Sequence, residues 1–313
     1  MKNILCSILL FLCGFPAVFA QNDSIYMFSY FVGNGEDGLH LLYSKDGFKW
    51  ESIKRSPSFL TPALSPDKLM RDPCIIRGKD NKFHMVWTVS WTQKGIGYAS
   101  SSNLVDWSDQ LYIPVMEHEA DARNTWAPEI TYDPVNEEYM IYWATTIEGL
   151  YPETQVQEDN RYNHRMYYVT TKDFSTFSDT KLLYEPGFNC IDATIKPNGN
   201  KWVMFIKDET RVPAQKNIKI AYADKLTGPY SQAGEPITGD YWAEGPTVWK
   251  IDDYWTVYFD RYTDNRFGVI RSKDLHTWED VSSKLAFPDG LRHGTIFRVS
   301  NEELANVLKQ EIR

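Results

Sequence analysis

Asp72, Asp192 and His293 each open a short segment of one recurring shape, and Glu244 stands one position before another. The five segments are Asp72-Pro73-Cys74-Ile75, Ala127-Pro128-Glu129-Ile130, Asp192-Ala193-Thr194-Ile195, Gly245-Pro246-Thr247-Val248 and His293-Gly294-Thr295-Ile296. Each has proline or a small residue second and a β-branched aliphatic fourth. If the segments lie side by side, three carboxylates and a histidine converge. Burying unpaired carboxylates is costly, so a purely structural lining would be apolar or neutral. The residue types suit cleavage of a glycosidic bond. One carboxylic acid protonates the departing oxygen, and one carboxylate activates water on the opposite face of the sugar. A third carboxylate near the acid raises its pKa, because two like charges in a poorly solvated site resist ionising together. Carboxylates carried on separate strands can stand roughly 6.5–9.5 Å apart, which admits a water and favours inversion.

The elements that must hold these residues are read from the repeat. The segments start about 48 to 65 residues apart. After each of the first four come a turn and an apolar run, at residues 83–87, 139–143, 202–206 and 254–259. A third run follows each, at residues 96–99, 166–169, 218–222 and 267–270. Beyond it a polar hairpin ends on an aromatic: Trp107, Phe177, Tyr230 or Trp278. Asn103, Asp173 and Asp274 sit four residues before three of these aromatics, and Asp46 to Trp50 repeats the spacing. Short period-two strands broken by turns, without a long amphipathic helix among them, read as four-stranded antiparallel blades. The fifth segment runs out near the C-terminus, and its missing strands fall at residues 25–32 and 39–43. The expectation is an all-β, five-bladed β-propeller whose last blade joins N- and C-terminal strands, which leaves no open sheet edge.

The motifs Arg71-Asp72-Pro73, Trp126-Ala127-Pro128-Glu129, Ile191-Asp192-Ala193, Glu244-Gly245-Pro246 and Arg292-His293-Gly294 resemble those of glycoside hydrolase family 43 in order and approximate spacing. The resemblance implies Asp72 as general base, Glu244 as general acid and Asp192 as the residue that raises and orients the acid. It also implies an exo-acting, inverting hydrolase that releases a terminal sugar from plant-type poly- or oligosaccharide. The sugar implied is α-L-arabinofuranose, with β-D-xylose or a galactosyl unit as alternatives. Arg71 departs from the pattern, since many members carry a smaller residue there. A related five-bladed clan of retaining fructosidase-like hydrolases uses Arg-Asp-Pro for a different purpose and places its nucleophile in an earlier Asn-Asp-Pro, which this chain lacks before residue 71. A carbohydrate-binding propeller without catalysis is the other alternative; it would need neither Asp72 nor Glu244.

Trp126 and Trp91 are candidates to stack on a sugar ring, with Trp126 also readable as a core residue between blades. The recurrent hairpin aromatics read as packing of the outer blade. His293 is a candidate for substrate contact. No cofactor is required, although the resemblance leaves room for a calcium ion on the propeller axis, held by His293 through waters. Glu129, two residues into its strand, reads as a hydrogen-bonded structural group. Arg261 and Arg271 could face the site or form salt bridges elsewhere. Residues 147–164 form the main insertion and are expected to wall one side of the pocket.

The net charge of −9 lacks the basic footprint that nucleic acid requires. Residues 1–20, a short positive start, an apolar run and small residues at 17–20, read as a signal peptide. The expectation is therefore export to the periplasm or beyond, with a lipoprotein at Cys13 less favoured and no membrane span. Residues 21–313 read as a single catalytic domain, acting as a monomer. Cys74 and Cys190 show no metal or disulfide spacing and read as small buried side chains.

Overall fold

The apolar runs form strands because they are too short and too rich in β-branched and aromatic residues for helices, and turn residues bound each one. The computed structural model describes residues 24–53, 58–157 and 160–309. The signal-peptide reading of residues 1–20 lies outside the described residues.

Nineteen strands fall into five antiparallel sheets among the described residues. The first blade is β4 (Arg71–Arg77), β5 (Phe83–Thr88), β6 (Ile96–Ser101) and β7 (Leu111–Ile113). The second is β8 (Trp126–Asp133), β9 (Glu138–Thr145), β10 (Arg165–Thr171) and β11 (Lys181–Tyr184). The third has three strands, β12 (Cys190–Asn198), β13 (Lys201–Asp208) and β14 (Asn217–Ala223). The fourth is β15 (Glu244–Ile251), β16 (Tyr254–Arg261), β17 (Arg266–Ser272) and β18 (Glu279–Asp280). The closing blade runs β19 (Thr295–Ser300), β1 (Ser24–Tyr30), β2 (His40–Ser44), β3 (Glu51–Ile53), with β19 and β1 antiparallel from Ser24↔Ser300 to Ser29↔Thr295. The inner strands touch in a closed ring, β4 to β8 to β12 to β15 to β19 and back to β4. The chain is thus a five-bladed β-propeller closed by its N- and C-terminal strands.

One expectation needs correcting. The third blade lacks a regular fourth strand among the described residues. Instead residues 231–237 reach β14 at three spaced points, where the Ser231, Gly234 and Ile237 amides donate to Tyr222, Ile220 and Ile218. Pro236 has no N–H to give, so a continuous ladder cannot form there.

Each interface between blades holds its own apolar cluster, and period-two alternation supplies both sides. Met85 and Trp87 of β5 pack toward the closing blade with Met27 and Leu41, while Val86 between them packs toward the second blade with Ile130 and Trp143. Met140 and Tyr142 of β9 likewise face the third blade, and Ile141 and Trp143 the first. Both faces of these strands are covered, which is why β5 is buried along its whole length. The hairpin aromatics fill one interface each, as the repeat predicts: Trp107, Phe177, Tyr230, Trp278 and Trp50 all lie in or against these clusters. Four hairpins share one device. The side-chain oxygens of Asp46, Asn103, Asp173 and Asp274 accept from the amides two and three residues on. A hydroxyl two positions earlier, from Ser44, Ser101, Thr171 or Ser272, accepts from a third amide at 2.9 Å. Helix α1 (Asn301–Leu308) follows β19 behind a Ser300/Glu303 capping box, and buries Leu304 and Val307 against the closing blade.

Candidate active site

The mouth of the ring is built by a repeated irregularity. The register of the inner strand slips between Arg71 and Cys74, Trp126 and Glu129, Ile191 and Thr194, and Glu244 and Thr247. Inside each bulge one residue takes the left-handed backbone: Asp72 (φ 52°), Ala127 (φ 47°), Asp192 (φ 57°) and Gly245 (φ 58°). Aspartate tolerates that conformation better than most side chains, and a bulge re-aims the side chain it carries. Gly245 has a second constraint, because a Cβ there would lie 2.4 Å from the His293 ring. The same local geometry therefore turns Asp72 and Asp192 into one cavity and presents Glu244 beside a glycine.

That cavity, of about 230 Å³, is lined by Asp72, Asp192, Glu244, His293, Trp91 and Trp126, together with Lys207 and Arg292. The three carboxylates, His293 and the two tryptophans that the sequence assigned to catalysis and substrate contact all meet there. Its volume is below the roughly 300–1,000 Å³ of drug-sized ligand pockets and suits a single sugar unit.

Each carboxylate has a different environment. Asp72 Oδ1 pairs with His293 Nδ1 at 3.3 Å, and the Thr88 hydroxyl donates to Oδ2 at 2.9 Å. Burial opposes ionisation of Asp72, but the His293 hydrogen bond and charge, with Arg71 and Thr88, outweigh it and hold its pKa below the ordinary carboxylate value. Asp192 accepts from the Gly245 amide at 3.0 Å. Burial first, then the Glu244 and Asp72 charges, push it up to about 6 against the pull of His293 and Lys207. Glu244 is clasped by two cations, Lys207 at 3.0 Å on Oε2 and Arg292 at 3.1 Å on Oε1. Arg292 also binds Asp260 at 2.8 Å, and Lys207 also binds Glu209, which in turn holds the buried Lys216. Burial and the Glu244 charge push Asp260 up to about 6 despite Arg292. His293 is buried, which disfavours its charge, yet the Asp72 hydrogen bond and the Asp192, Asp72 and Glu129 charges lift it to about 9. It is an imidazolium at neutral pH.

Of the His293 ring nitrogens Nδ1 is taken by Asp72, which leaves Nε2 as the one that could meet the waters of an axial calcium. Among the described residues no group of three His, Cys, Asp or Glu side chains could hold a metal ion.

Trp91 stands 42% exposed at the rim, edge to face with Trp126 at 5.4 Å. Trp126 fulfils both of its readings: it lines the cavity and packs against the cluster between the second and third blades. None of the described residues of the insertion at 147–164 lines the cavity; its Tyr162 and His164 instead brace Trp126 at 4.8 and 5.1 Å. Glu129 lies buried below the mouth and accepts from Thr194 at 2.6 Å and Tyr142 at 3.0 Å, the hydrogen-bonded role its position suggests. Arg271 pairs with Glu279 on the outer edge, and Arg261 with Asp264 in a turn; neither lines the cavity. Cys74 and Cys190 are free and buried.

Sequence reasoning missed Lys207, Glu209, Asp260 and Thr88. All sit at or just past the ends of second strands, where antiparallel register sets Thr88 opposite Arg71, Lys207 opposite Ile191 and Asp260 opposite Glu244. The signal was present as charged or hydroxyl residues closing otherwise apolar runs.

Comparison with known proteins agrees with this architecture. A family model, related to glycosyl hydrolase family 43 and described as a probable glycosyl hydrolase domain, matches residues 22–305. An α-L-arabinofuranosidase of Bifidobacterium longum subsp. longum is 21% identical, aligned over 88% of this chain and 30% of its own length. The family 43 enzyme GH43B from a Bacteroides ovatus xyloglucan locus shares the fold with a TM-score of 0.52 and 20% identity, over 70% of this chain and 41% of that one. An exo-β-1,3-galactanase of Phanerochaete chrysosporium bound to β-1,3-galactotriose does so at 0.53 and 13% identity, over 82% of this chain and 54% of that one. The chain thus spans less than a third of the curated relative's length.

Proposed function

We propose that this chain, which belongs to the glycosyl hydrolase 43-related family, is an exo-acting, inverting glycoside hydrolase. In this reading Asp72 is the general base, Glu244 the general acid and Asp192 the group that governs the acid's proton. The observation that carries the reading is the convergence of these three carboxylates, one from each of three blades, on a single small cavity with an aromatic rim. A pocket of that size suits a chain end.

The chemistry follows from the surroundings of each group. Asp72 is ionised at working pH and fixed by His293 and Thr88, so it can draw a proton from a water facing the anomeric carbon. Asp192, which burial and the neighbouring Glu244 and Asp72 charges push up to about 6, can hold a proton on the blade beside Glu244. Delivered to Glu244, that proton goes to the departing oxygen. Lys207 and Arg292 then stabilise the carboxylate that remains. The sugar is α-L-arabinofuranose in the first instance, the activity named for the Bifidobacterium relative. A β-D-xylosyl or a galactosyl unit is the alternative, the latter following the galactanase neighbour. We further propose that the protein acts after export, with residues 1–20 as its signal.

One observation favours a second reading, a carbohydrate-binding propeller without hydrolysis. Glu244 is tied to Lys207 and Arg292 in the free protein, the arrangement of an ion-pair network that holds a binding site together. A panel of 4-nitrophenyl α-L-arabinofuranoside, β-D-xyloside and β-D-galactoside, read with wild type and Asp72→Asn, separates the two. Release by wild type that disappears in Asp72→Asn supports the hydrolase and names the sugar. Silence on the panel and on oligosaccharides, from folded protein that still binds sugar, supports the binding module.

A further inference from the structure

Four cations line the cavity, and three of them are matched by carboxylates. Lys207 pairs with Glu244 and Glu209, Arg292 with Glu244 and Asp260, and His293 with Asp72. Arg71 has no carboxylate within ion-pair distance among the described residues. Its guanidinium lies instead between two aromatic faces, 4.7 Å from the Phe31 ring centroid and 4.3 Å from that of Trp91. The contact places the guanidinium over the rim tryptophan.

A loop from the closing blade fixes this arrangement. Asn34 Oδ1 accepts from Arg71 Nη1 at 3.1 Å and from Trp91 Nε1 at 3.2 Å, so one oxygen locks both side chains. Asn34 is itself oriented by donating its amide to Glu36 at 3.0 Å. The loop docks on the strand just before Arg71 through a 2.8 Å bond from the Met70 amide to the Gly35 carbonyl. Gly35 (φ 86°) permits the approach, because a Cβ there would stand 2.7 Å from the Met70 carbonyl oxygen. Asn34 occupies one edge of the guanidinium, and the remaining donors have no carboxylate to serve. Asp72 and Glu36 lie near enough to feel its charge but do not pair with it, so beside an exposed tryptophan the guanidinium suits a planar anion taken in bidentate fashion, with the sugar ring that bears it against Trp91.

We propose that Arg71, Trp91 and Asn34 form a subsite for a carboxylate-bearing sugar, so that the unit beyond the cleaved bond is a hexuronate. Rim residues meet the part of the chain that extends out of a pocket whose carboxylates hold the terminal unit. The proposal rests on the hydrolase reading for its kinetic arm only.

The test compares two oligosaccharides that differ at one carbon. In one the unit next to the released sugar carries a carboxylate; in the other that carboxylate is reduced to the alcohol. Wild type is expected to favour the uronate by about tenfold in kcat/KM at low salt, a charge-assisted contact's worth, with the preference shrinking as salt rises. Arg71→Gln should bring the ratio close to one, and Arg71→Lys should restore part of it. Equal rates in wild type, or a ratio that survives Arg71→Gln, overturn the subsite while leaving the hydrolase intact. If neither compound is cleaved, the hydrolase reading has failed, and titration calorimetry still decides the subsite. Wild type should then bind D-galacturonate about tenfold tighter than D-galactose, and Arg71→Gln should not; equal binding in wild type overturns it.

Discussion

The mouth of the channel and the outer hairpins both depend on left-handed residues, repeated blade after blade, yet they use them in opposite ways. At the hairpins the positions are Gly47, Leu104, Phe174 and Leu275, and around each the same Ser or Thr and Asp or Asn recur with the same hydrogen bonds. At the mouth the backbone repeats equally well, but the residues differ from blade to blade: Asp72, Ala127, Asp192 and Gly245. Repetition of geometry together with chemistry serves the scaffold, where four of the five blades use the same turn. Repetition of geometry with unlike side chains makes an asymmetric site from a symmetric frame. Strain held at the mouth is therefore tied to function, and strain at the hairpins to folding.

The comparison is broken most severely at the mouth. Glu244→Gln should lower turnover of natural linkages by about 10²–10⁴-fold, while a 4-nitrophenyl leaving group, which needs little protonation, recovers much of the rate. Asp72→Asn should show no such recovery, and steady-state kinetics on both substrate types would expose a reversal of roles. Gly245→Ala tests the geometry itself. The left-handed backbone and the His293 ring both oppose the new methyl, so a loss of at least about 2 kcal/mol in denaturant melts is expected, together with loss of activity.

The pH profile sharpens the contrast more gently. Because Asp192 takes up its proton near pH 6, kcat/KM should fall as pH rises through about 6, and Asp192→Asn should move that limb. Stability should carry a different signature. The value of His293 in the fold, about 9, lies above its ordinary 6.5. Its charge thus contributes fully below pH 6.5, and the contribution is lost as pH climbs through 9. The melting temperature should decline across that window in wild type and less so in His293→Gln. Smallest is the hairpin change Asn103→Ala, expected to cost about 1 kcal/mol while sparing turnover, as equilibrium unfolding and aryl-glycoside kinetics on one sample would show.

The ring was legible in the sequence because each blade writes its own copy of the pattern, and the closing blade could be assembled from two ends by matching Asp46–Trp50 to the other hairpins. Asp72, Asp192 and Glu244 were legible because they interrupt that pattern at the same place. The irregular edge of the third blade was not, since a proline there alters hydrogen bonding without changing the apolar rhythm. Lys207, Glu209 and Asp260 escaped for a different reason. Their distance from the motifs in sequence is closed only by the antiparallel register, and a lysine ending an apolar run reads first as solvated. The pairing of Glu244 with two cations is a property of three blades together.

The central claim is that Asp72 activates water against a sugar whose bond Glu244 protonates. It is tested most directly by proton NMR of the anomer first released from an aryl glycoside by the wild-type protein. The account predicts a product of inverted configuration, appearing before mutarotation. A retained anomer would make an enzyme carboxylate the nucleophile instead of water, and no product from folded protein on any substrate would contradict hydrolysis altogether.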